Sequence, residues 1–363
     1  MAVDQQALLA ALQAVTDPNT GKDFVSTKAL KNLNEQYGDV SFDVELAYPA
    51  RSQMPALRRA LIVAAKEVPG VENVSVNMGM KITAHAVQRG VQLLPNVKNI
   101  IAVASGKGGV GKSTTAVNLA LALAAEGAQV GILDADIYGP SQPMMMGLEG
   151  RPESVDGQTM EPLENYGVQV ISIGFLIDRD EAMIWRGPMA TQALEQLLRQ
   201  TNWKELDYLI VDMPPGTGDI QLTLSQRVPL TGAVIVTTPQ DIALLDARKG
   251  IKMFEKVGVP ILGIVENMAV YCCPACGHVE HIFGADGGKN MAAEYGMDYL
   301  GALPLNMSIR VQADSGKPTV VAEPDGEIAT LYKTVARQVA IKIAAKAKDF
   351  SSKFPSIKIS KDT

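Results

Sequence analysis

The amino-acid sequence predicts an α/β protein with a mostly parallel sheet that has helices on both faces, preceded by a small α+β domain. Two observations predict this architecture. After residue 98, short runs of apolar residues alternate with helical stretches, and strands that are apolar throughout are typical of a parallel sheet covered on both faces. The first 80 residues instead combine helical periodicity with apolar–polar alternation, which is typical of a half-buried strand.

The length of 363 residues favours two domains. We expect a small domain over 1–80, a linker over 81–97, the larger domain over 98–346 and a flexible tail over 347–363. The linker segment shows no clear period and contains Gly90 and Pro95, both of which break regular structure. The tail is polar and bears several lysines, so it is not expected to pack.

Within the small domain, Leu8, Leu9 and Leu12 share one face of a predicted first helix. The segment 40–46 alternates as a strand, and a second helix over 54–68 ends at Pro69-Gly70 before further strand-forming residues. In the larger domain, apolar runs predict strands at Ile100–Ala104, Val130–Leu133, Val168–Ile173, Tyr208–Val211, Ala233–Thr237 and Ile261–Val265. Predicted helices are Thr114–Glu126, Met189–Gln200, Ala243–Val257 and roughly 326–346.

Composition excludes several classes of protein. The chain has 33 basic and 39 acidic residues, a net charge of −6, which argues against a general nucleic-acid binder. No run of eighteen apolar residues occurs, so stable membrane insertion is not expected. The first residues lack the basic segment of a secretory signal, and the three cysteines lie together between 272 and 276. A disulfide scaffold is therefore excluded, and a cytoplasmic location is expected.

A glycine-rich motif lies between the first predicted strand of the larger domain and the helix that follows it. Residues 106–113 read GKGGVGKS and fit G-x-x-x-x-G-K-[ST]. Glycines let successive N–H groups surround a phosphate, and the helix N-terminus adds positive charge. Lys112 is expected to reach the terminal phosphates and the Ser113 hydroxyl to ligate Mg²⁺. The predicted nucleotide-binding residues are Gly106, Lys107, Gly108, Gly109, Val110, Gly111, Lys112, Ser113 and Thr114.

Three acidic residues follow predicted strands at the edge where open α/β sheets bind ligands. Asp134 and Asp136 come after the second strand, and Asp212 ends the strand over 208–211. One carboxylate of the first pair is expected to orient the attacking water and the other to assist the metal. Asp212 is expected to hold Mg²⁺ through water, and the glycine-rich loop 213–219 after it fits a switch that senses hydrolysis.

The segment Cys273-Pro-Ala-Cys276 brings two thiols into one turn, but two thiolates form only half of a tetrahedral metal site. The favoured completion is the same pair from a second subunit, which gives the four thiolates of a [4Fe–4S] or [2Fe–2S] cluster. A zinc site completed by His278 and His281 and a thiol redox pair are the alternatives. Cys272 is expected to be a packed neighbour rather than a ligand.

The string GKGGVGKST resembles the deviant P-loop of the family that contains MinD, ParA and the nitrogenase iron protein. The resemblance implies a homodimer, in which Lys107 contacts phosphate across the subunit boundary and acts with Lys112 in catalysis. It also places water activation on Asp136 and an adenine contact on Asn267. ATP is the expected nucleotide, because the guanine signature Asn-Lys-x-Asp is absent.

Together with the cysteine pair, residues 97–345 resemble the Mrp/ApbC group of P-loop iron–sulfur cluster carriers. The matching segments are DADIYGPS at 134–141, DMPPGTGD at 212–219 and ENM at 266–268. Residues 1–80 resemble, more loosely, the iron–sulfur assembly domain often fused in front of such proteins. Some relatives of that domain have a cysteine near the position of Arg51; because this chain has none, the domain is not expected to bind a cluster.

The resemblance implies an ATP hydrolase that passes a cluster, expected to be [4Fe–4S], from scaffold proteins to apo iron–sulfur proteins. Cys273 and Cys276 of two subunits would share this cluster. The alternative function is a MinD- or ParA-like positioning ATPase with a structural zinc or no metal. The cysteine pair would have no role in membrane or DNA binding by such an ATPase.

Overall fold

The computed structural model describes residues 3–88, 90–177 and 187–347. The strands are β1 (Leu30–Gln36), β2 (Asp39–Leu46), β3 (Asn73–Met80), β4 (Val97–Ala104), β5 (Val130–Asp134), β6 (Leu163–Asn165), β7 (Val168–Ser172), β8 (Leu206–Asp212), β9 (Gly232–Thr237), β10 (Ile261–Glu266), β11 (Tyr271–Cys272), β12 (Val279–Glu280) and β13 (Tyr299–Ala302). The helices are α1 (Gln5–Gln13), α2 (Met54–Lys66), α3 (Lys112–Ala125), α4 (Gln142–Met145), α5 (Gly187–Gln200), α6 (Asp219–Arg227), α7 (Asp241–Lys256), α8 (Gly287–Glu294), α9 (Met307–Asp314), α10 (Thr319–Ala322) and α11 (Glu327–Ala344).

The larger sheet has the strand order β13-β10-β9-β4-β8-β5-β7-β6. All neighbouring strands are parallel except β6, which pairs antiparallel with β7. The six strands predicted from apolar runs form the interior of this sheet, and the unpredicted β6 and β13 lie at its two edges. Helices α3 and α11 pack on one face, and the apolar sides of α5, α6 and α7 cover the other. The predicted fold class is therefore confirmed.

Strand register brings the acidic residues together. In β5 and β8, Asp134 is paired with Asp212, and Val103 near the end of β4 is paired with Asp212 on the other side. Because these strands are parallel, the loops after β4, β5 and β8 all leave the sheet at the carboxyl ends of the strands. The phosphate loop and the acids therefore meet at this end of the sheet.

The N-terminal sheet has the order β1-β2-β3, with β2 and β3 parallel and β1 antiparallel. Its inner face alternates as predicted, since the buried residues of β2 are Val40, Phe42, Val44 and Leu46. Strand β1 was not predicted. The apolar core of this unit is continuous with the α3 and α11 side of the larger sheet.

A buried polar contact joins the two units. Glu126, which caps the C-terminal end of α3, accepts hydrogen bonds from the Ser52 backbone (3.0 Å) and hydroxyl (2.6 Å). Its carboxylate also pairs with Arg337 of α11 at 2.7 Å. A buried ion pair with these hydrogen bonds favours one orientation of the N-terminal unit over others.

The first strand of the larger sheet begins before the predicted end of the linker. Strand β4 begins at Val97, within the predicted linker, because Val97 pairs with Leu206 of β8. Of the predicted tail, only residue 347 lies within the described ranges. No helix in residues 3–88, 90–177 or 187–347 is both long and apolar enough to cross a membrane.

Candidate functional site

The phosphate loop needs glycine at positions where backbone or side-chain atoms lie too close for a Cβ. Gly109 and Gly111 both have φ of +82°, a conformation that other residues adopt only with strain. A Cβ on Gly111 would lie 2.2 Å from Asn267 Nδ2, and one on Gly106 would lie 2.1 Å from the backbone of Asp246. The loop is thus held between β10 and α7 in a single conformation.

The other side of the loop is open. A Cβ built on Gly108 or Gly109 would meet no atom within 4 Å, and both residues are exposed. This concave backbone precedes the N-terminus of α3, so its N–H groups and the helix dipole favour an anion. Lys107 lies half-exposed at the rim of the loop, and its carbonyl accepts a hydrogen bond from Ser105 Oγ at 2.8 Å.

Lys112 is buried among the acids that the sequence singled out. Its Nζ pairs with Asp212 Oδ1, lies 3.1 Å from Ser113 Oγ and 3.9 Å from Asp136 Oδ2. The structure therefore brings the predicted lysine, hydroxyl and carboxylates into one cluster. Its buried negative charge exceeds its positive charge, which suits a divalent cation.

Asp134 is fully buried, and protein groups already hold its carboxylate. Oδ2 accepts hydrogen bonds from the backbone N–H groups of Ser141 and Gln142, both at 3.1 Å, and from the Ser172 hydroxyl at 3.0 Å. Burial and the neighbouring Asp212 carboxylate raise the pKa of Asp134 to about 7. These contacts show that Asp134 anchors the loop between β5 and α4.

Asp136 is half-buried near Lys112 and is hydrogen-bonded to the Gly139 N–H at 3.3 Å. Burial raises the pKa of Asp136, whereas the charge of Lys112 opposes this shift. A carboxylate beside Lys112, with a raised pKa, can orient a water molecule and accept its proton.

Gln142, which sequence reasoning missed, also belongs to this cluster. Its Nε2 donates to Asp212 Oδ2 at 2.8 Å and to the Ser113 carbonyl at 3.2 Å. Within the part of the chain that the structure describes, its Oε1 and the Ser141 hydroxyl are buried without a hydrogen-bond partner. The unpartnered Gln142 oxygen, on an amide that contacts Ser113 and Asp212, fits a hydrated Mg²⁺, whose bound waters donate hydrogen bonds.

Asn267, at the end of β10, touches the phosphate loop directly. Its Nδ2 donates to the Val110 carbonyl at 2.9 Å, and its backbone N–H donates to the Thr237 carbonyl at 2.8 Å. The contact ties β10 to the loop. The predicted adenine contact of Asn267 stays a prediction.

The cysteines occupy a short hairpin that follows β10. Strands β11 and β12 pair antiparallel, and the turn between them holds Cys273 and Cys276. The Cys273 N–H donates to the His278 carbonyl at 2.9 Å, and the Gly277 N–H donates to the Cys273 carbonyl at 2.8 Å. Gly277 has φ of +71°, which closes this turn.

The turn directs backbone N–H groups at a sulfur. The N–H groups of Ala275 and Cys276, together with the Cys276 thiol, lower the pKa of Cys273. This arrangement favours the thiolate, which is the form that binds metal. Cys276 is exposed, so the two sulfur atoms are presented at the protein surface.

The residues of the alternative zinc site do not come together within one chain. His281 Nδ1 contacts the Ala269 carbonyl at 2.9 Å, below the turn. Across residues 3–88, 90–177 and 187–347, no group of three or more His, Cys, Asp or Glu side chains is placed to hold a metal. The expected packing of Cys272 is wrong, because Cys272 is exposed on the two-stranded hairpin formed by β11 and β12.

Comparisons with known proteins give consistent results for both parts of the chain. Residues 96–340 match the family model described as NUBPL iron-transfer P-loop NTPase, and residues 5–77 match that of iron–sulfur cluster assembly protein. The chain is 50% identical over 329 residues to the iron–sulfur cluster carrier protein of Escherichia coli K12, which covers 90% of this chain and 89% of that protein. It is 55% identical over 248 residues to the iron–sulfur cluster transfer protein NUBPL of Mus musculus, which covers 68% of this chain and 78% of that protein.

A solved structure resembles the larger domain. The nucleotide-binding protein of Archaeoglobus fulgidus in complex with ADP is 38% identical, with a TM-score of 0.56. The match covers 64% of this chain and 90% of the archaeal chain.

Proposed function

The chain belongs to the family of iron-transfer P-loop NTPases, and on this premise we propose that it carries iron–sulfur clusters to apo-proteins in an ATP-dependent cycle. The cluster is the cargo, and scaffold proteins are its donors. The observation that carries this proposal is the exposed turn that presents Cys273 and Cys276 with N–H groups directed at the Cys273 sulfur.

A dimer supplies the missing ligands. One chain offers two thiolates at the tip of a hairpin, and a twofold axis beside that tip brings the same pair from a second copy. The four thiolates complete a cluster site, for which we propose [4Fe–4S]. A cluster held between two exposed hairpins is easily released, because separating the subunits removes half of its ligands.

We assign nucleotide hydrolysis to the carboxyl ends of the parallel strands, where the hairpin also lies. The phosphate loop and Lys112 would hold the phosphates of ATP, and Ser113 and Asp212 would hold Mg²⁺, which when bound supplies charge neutralisation for phosphoryl transfer. Asp136 orients the attacking water. Lys107 lies at the open rim, from which it can reach the phosphates of a facing subunit.

The test is anaerobic reconstitution with iron and sulfide, followed by transfer to an apo iron–sulfur protein. Cys273→Ala and Cys276→Ala should lose cluster absorbance and transfer, because each leaves two of four ligands in the dimer. Cys272→Ala is the matched control, since it removes an exposed thiol next to the pair, and it should load normally. Normal occupancy and transfer in Cys273→Ala or Cys276→Ala would refute the proposed function.

A further inference from the structure

Gln142 is the first residue of α4 and lies fully buried at the nucleotide site. Its side chain and its backbone hold two different acids, since Nε2 bonds Asp212 and the backbone N–H bonds Asp134. Asp212 Oδ1 is at the same time paired with Lys112. If Lys112 were to bind a phosphate and Asp212 a Mg²⁺ ion, the partners that fix Gln142 would change.

The orphaned Oε1 of Gln142 points to a specific ligand. A buried carbonyl oxygen without a donor costs free energy unless a partner arrives. The neighbouring Ser113 and Asp212 are the expected metal-holding groups, and a water bound to Mg²⁺ is a hydrogen-bond donor of the required kind. Gln142 is therefore placed to contact the hydration shell of the metal while it positions Asp212.

The other end of α4 is in backbone contact with the end of α9. A Cβ on Gly316, which follows α9, would lie 2.7 Å from the Cα of Gly147, just beyond α4. A Cβ on Gly147 would lie 2.9 Å from the Gly316 carbonyl oxygen. With two glycines facing each other at this distance, a shift of α4 must also displace α9.

The start of α9 leads to the cysteine hairpin. The residue before its N-cap, Leu305, donates its N–H to the Val270 carbonyl at 2.8 Å and forms a parallel bridge with Tyr271. Tyr271 is the first residue of β11 and immediately precedes the cysteines. A side-chain hydrogen bond from Gln142 to Asp212 and the backbone contacts of α4 with α9 thus connect Asp212 to the root of the hairpin.

We propose that Gln142 is a positioning residue that senses Mg²⁺–nucleotide through Asp212 and, by moving α4 against α9, changes the exposure of the cysteine pair. This inference rests on the proposed function, in which nucleotide and cluster belong to one cycle. It assigns the regulation of the cysteines to a residue outside the sequence motifs.

Three variants of the full-length apo-protein test the route. Gln142→Leu removes both amide atoms at similar volume. Gly316→Ala disturbs the contact between α4 and α9 and adds strain at a positive φ. Gly157→Ala is the matched control, because its φ of +72° equals that of Gly316 (+74°) within two degrees while no atom lies within 4 Å of its Cβ.

Two quantities are measured for each protein: the factor by which Mg²⁺ tightens binding of a fluorescent ATP analogue, and the factor by which Mg²⁺–ATP changes iodoacetamide alkylation of Cys273 and Cys276. In Gln142→Leu the Mg²⁺ effect on nucleotide binding should fall about tenfold, as expected for one lost hydrogen bond to a charged centre, and the effect of Mg²⁺–ATP on alkylation should disappear. Gly316→Ala should keep the Mg²⁺ effect on nucleotide binding and lose the effect on alkylation. Gly157→Ala should keep both.

An unchanged Mg²⁺ factor in Gln142→Leu, or a wild-type alkylation response in both test variants, would overturn the inference and leave the proposed function standing. If Mg²⁺–ATP does not change alkylation in the wild-type protein itself, the coupling in the proposed function fails, and this inference fails with it.

Discussion

The nucleotide site and the cysteine hairpin both lie at the carboxyl ends of the parallel strands, but they are built in opposite ways. Lys112, Asp134 and Asp212 are buried, and each is held by other protein groups. The cysteines are exposed or half-exposed on a two-stranded hairpin, and the turn of one chain presents two sulfur atoms, those of Cys273 and Cys276.

The two sites differ because they perform different tasks. A phosphate loop works by preorganisation, so its atoms must be fixed before the ligand arrives, and packing against β10 and α7 fixes them. A carrier must both take up and give away its cargo, so ligands on a surface turn that close only between two molecules are suited to the task. Changes at the first site should therefore cost more than changes at the second.

The largest expected effect is that of Lys112→Ala. Loss of the buried ammonium group should lower ATP turnover on the order of 100- to 1000-fold, because the phosphates lose a preorganised positive partner. Turnover is measured as phosphate release, and iron loading of the same variant is the control, since the hairpin contains no contact to Lys112. Wild-type turnover would show that hydrolysis does not occur at this loop.

A pair of glycine variants compares the two turns directly. Gly111→Ala and Gly277→Ala place Ala at φ of +82° and +71°, a strain of about 1–2 kcal/mol in each case. Only the first also places a Cβ 2.2 Å from Asn267 Nδ2, whereas the second meets no atom within 4 Å. ATP affinity in Gly111→Ala should fall at least about tenfold, the effect of 1.4 kcal/mol, while Gly277→Ala should still load iron. A loss of iron loading in Gly277→Ala as large as the loss of ATP affinity in Gly111→Ala would contradict the proposed difference in packing.

Asp134 gives a smaller effect that depends on pH. Its pKa in the folded protein, about 7, exceeds the ordinary value of 3.8, so the folded chain keeps a proton that the unfolded chain releases. The contribution of Asp134 to stability is therefore largest below about pH 4 and declines as the pH rises to about 7. The cost of Asp134→Asn should be lower at pH 7.5 than at pH 6 by on the order of 1 kcal/mol, measured by urea unfolding. An equal cost at both pH values would contradict the raised pKa.

The smallest expected effect concerns the thiol. N–H groups directed at the sulfur lower the pKa of Cys273, so its alkylation rate should reach half its maximum at a pH below that of an ordinary thiol. Mass spectrometry of the alkylated peptides resolves this site from its neighbours. The pKa of Cys273 in the hairpin would then lie below its ordinary value, whereas the pKa of buried Asp134 lies above its own. A half-maximum at or above the ordinary value would contradict the hydrogen-bonded turn.

The parts of the fold that the sequence predicts are those with a continuous apolar signal. Strands such as β9 are buried at every position, so their composition alone identifies them. Strand β1 escaped prediction because its residues, LKNLNEQ, are mostly polar and its pairing with β2 contains an irregularity. Its position depends on partners distant in sequence, which local pattern does not record.

The candidate site divides in the same way. The phosphate loop and the three acids were predicted because motif spacing and strand ends fix their positions. Gln142 was missed because a glutamine after a proline-containing turn carries no local signal, and its burial arises only when α4 packs over Asp212. Glu126 and Arg337 were missed because charged residues on helices usually face solvent.

The most direct test of the account is native mass spectrometry of the iron-loaded protein under anaerobic conditions. We expect iron and sulfide only in a species of twice the chain mass, with one cluster per pair of chains, and conversion to the single-chain mass when a chelator removes the iron. A species of single-chain mass that retains the full iron content would contradict the shared site.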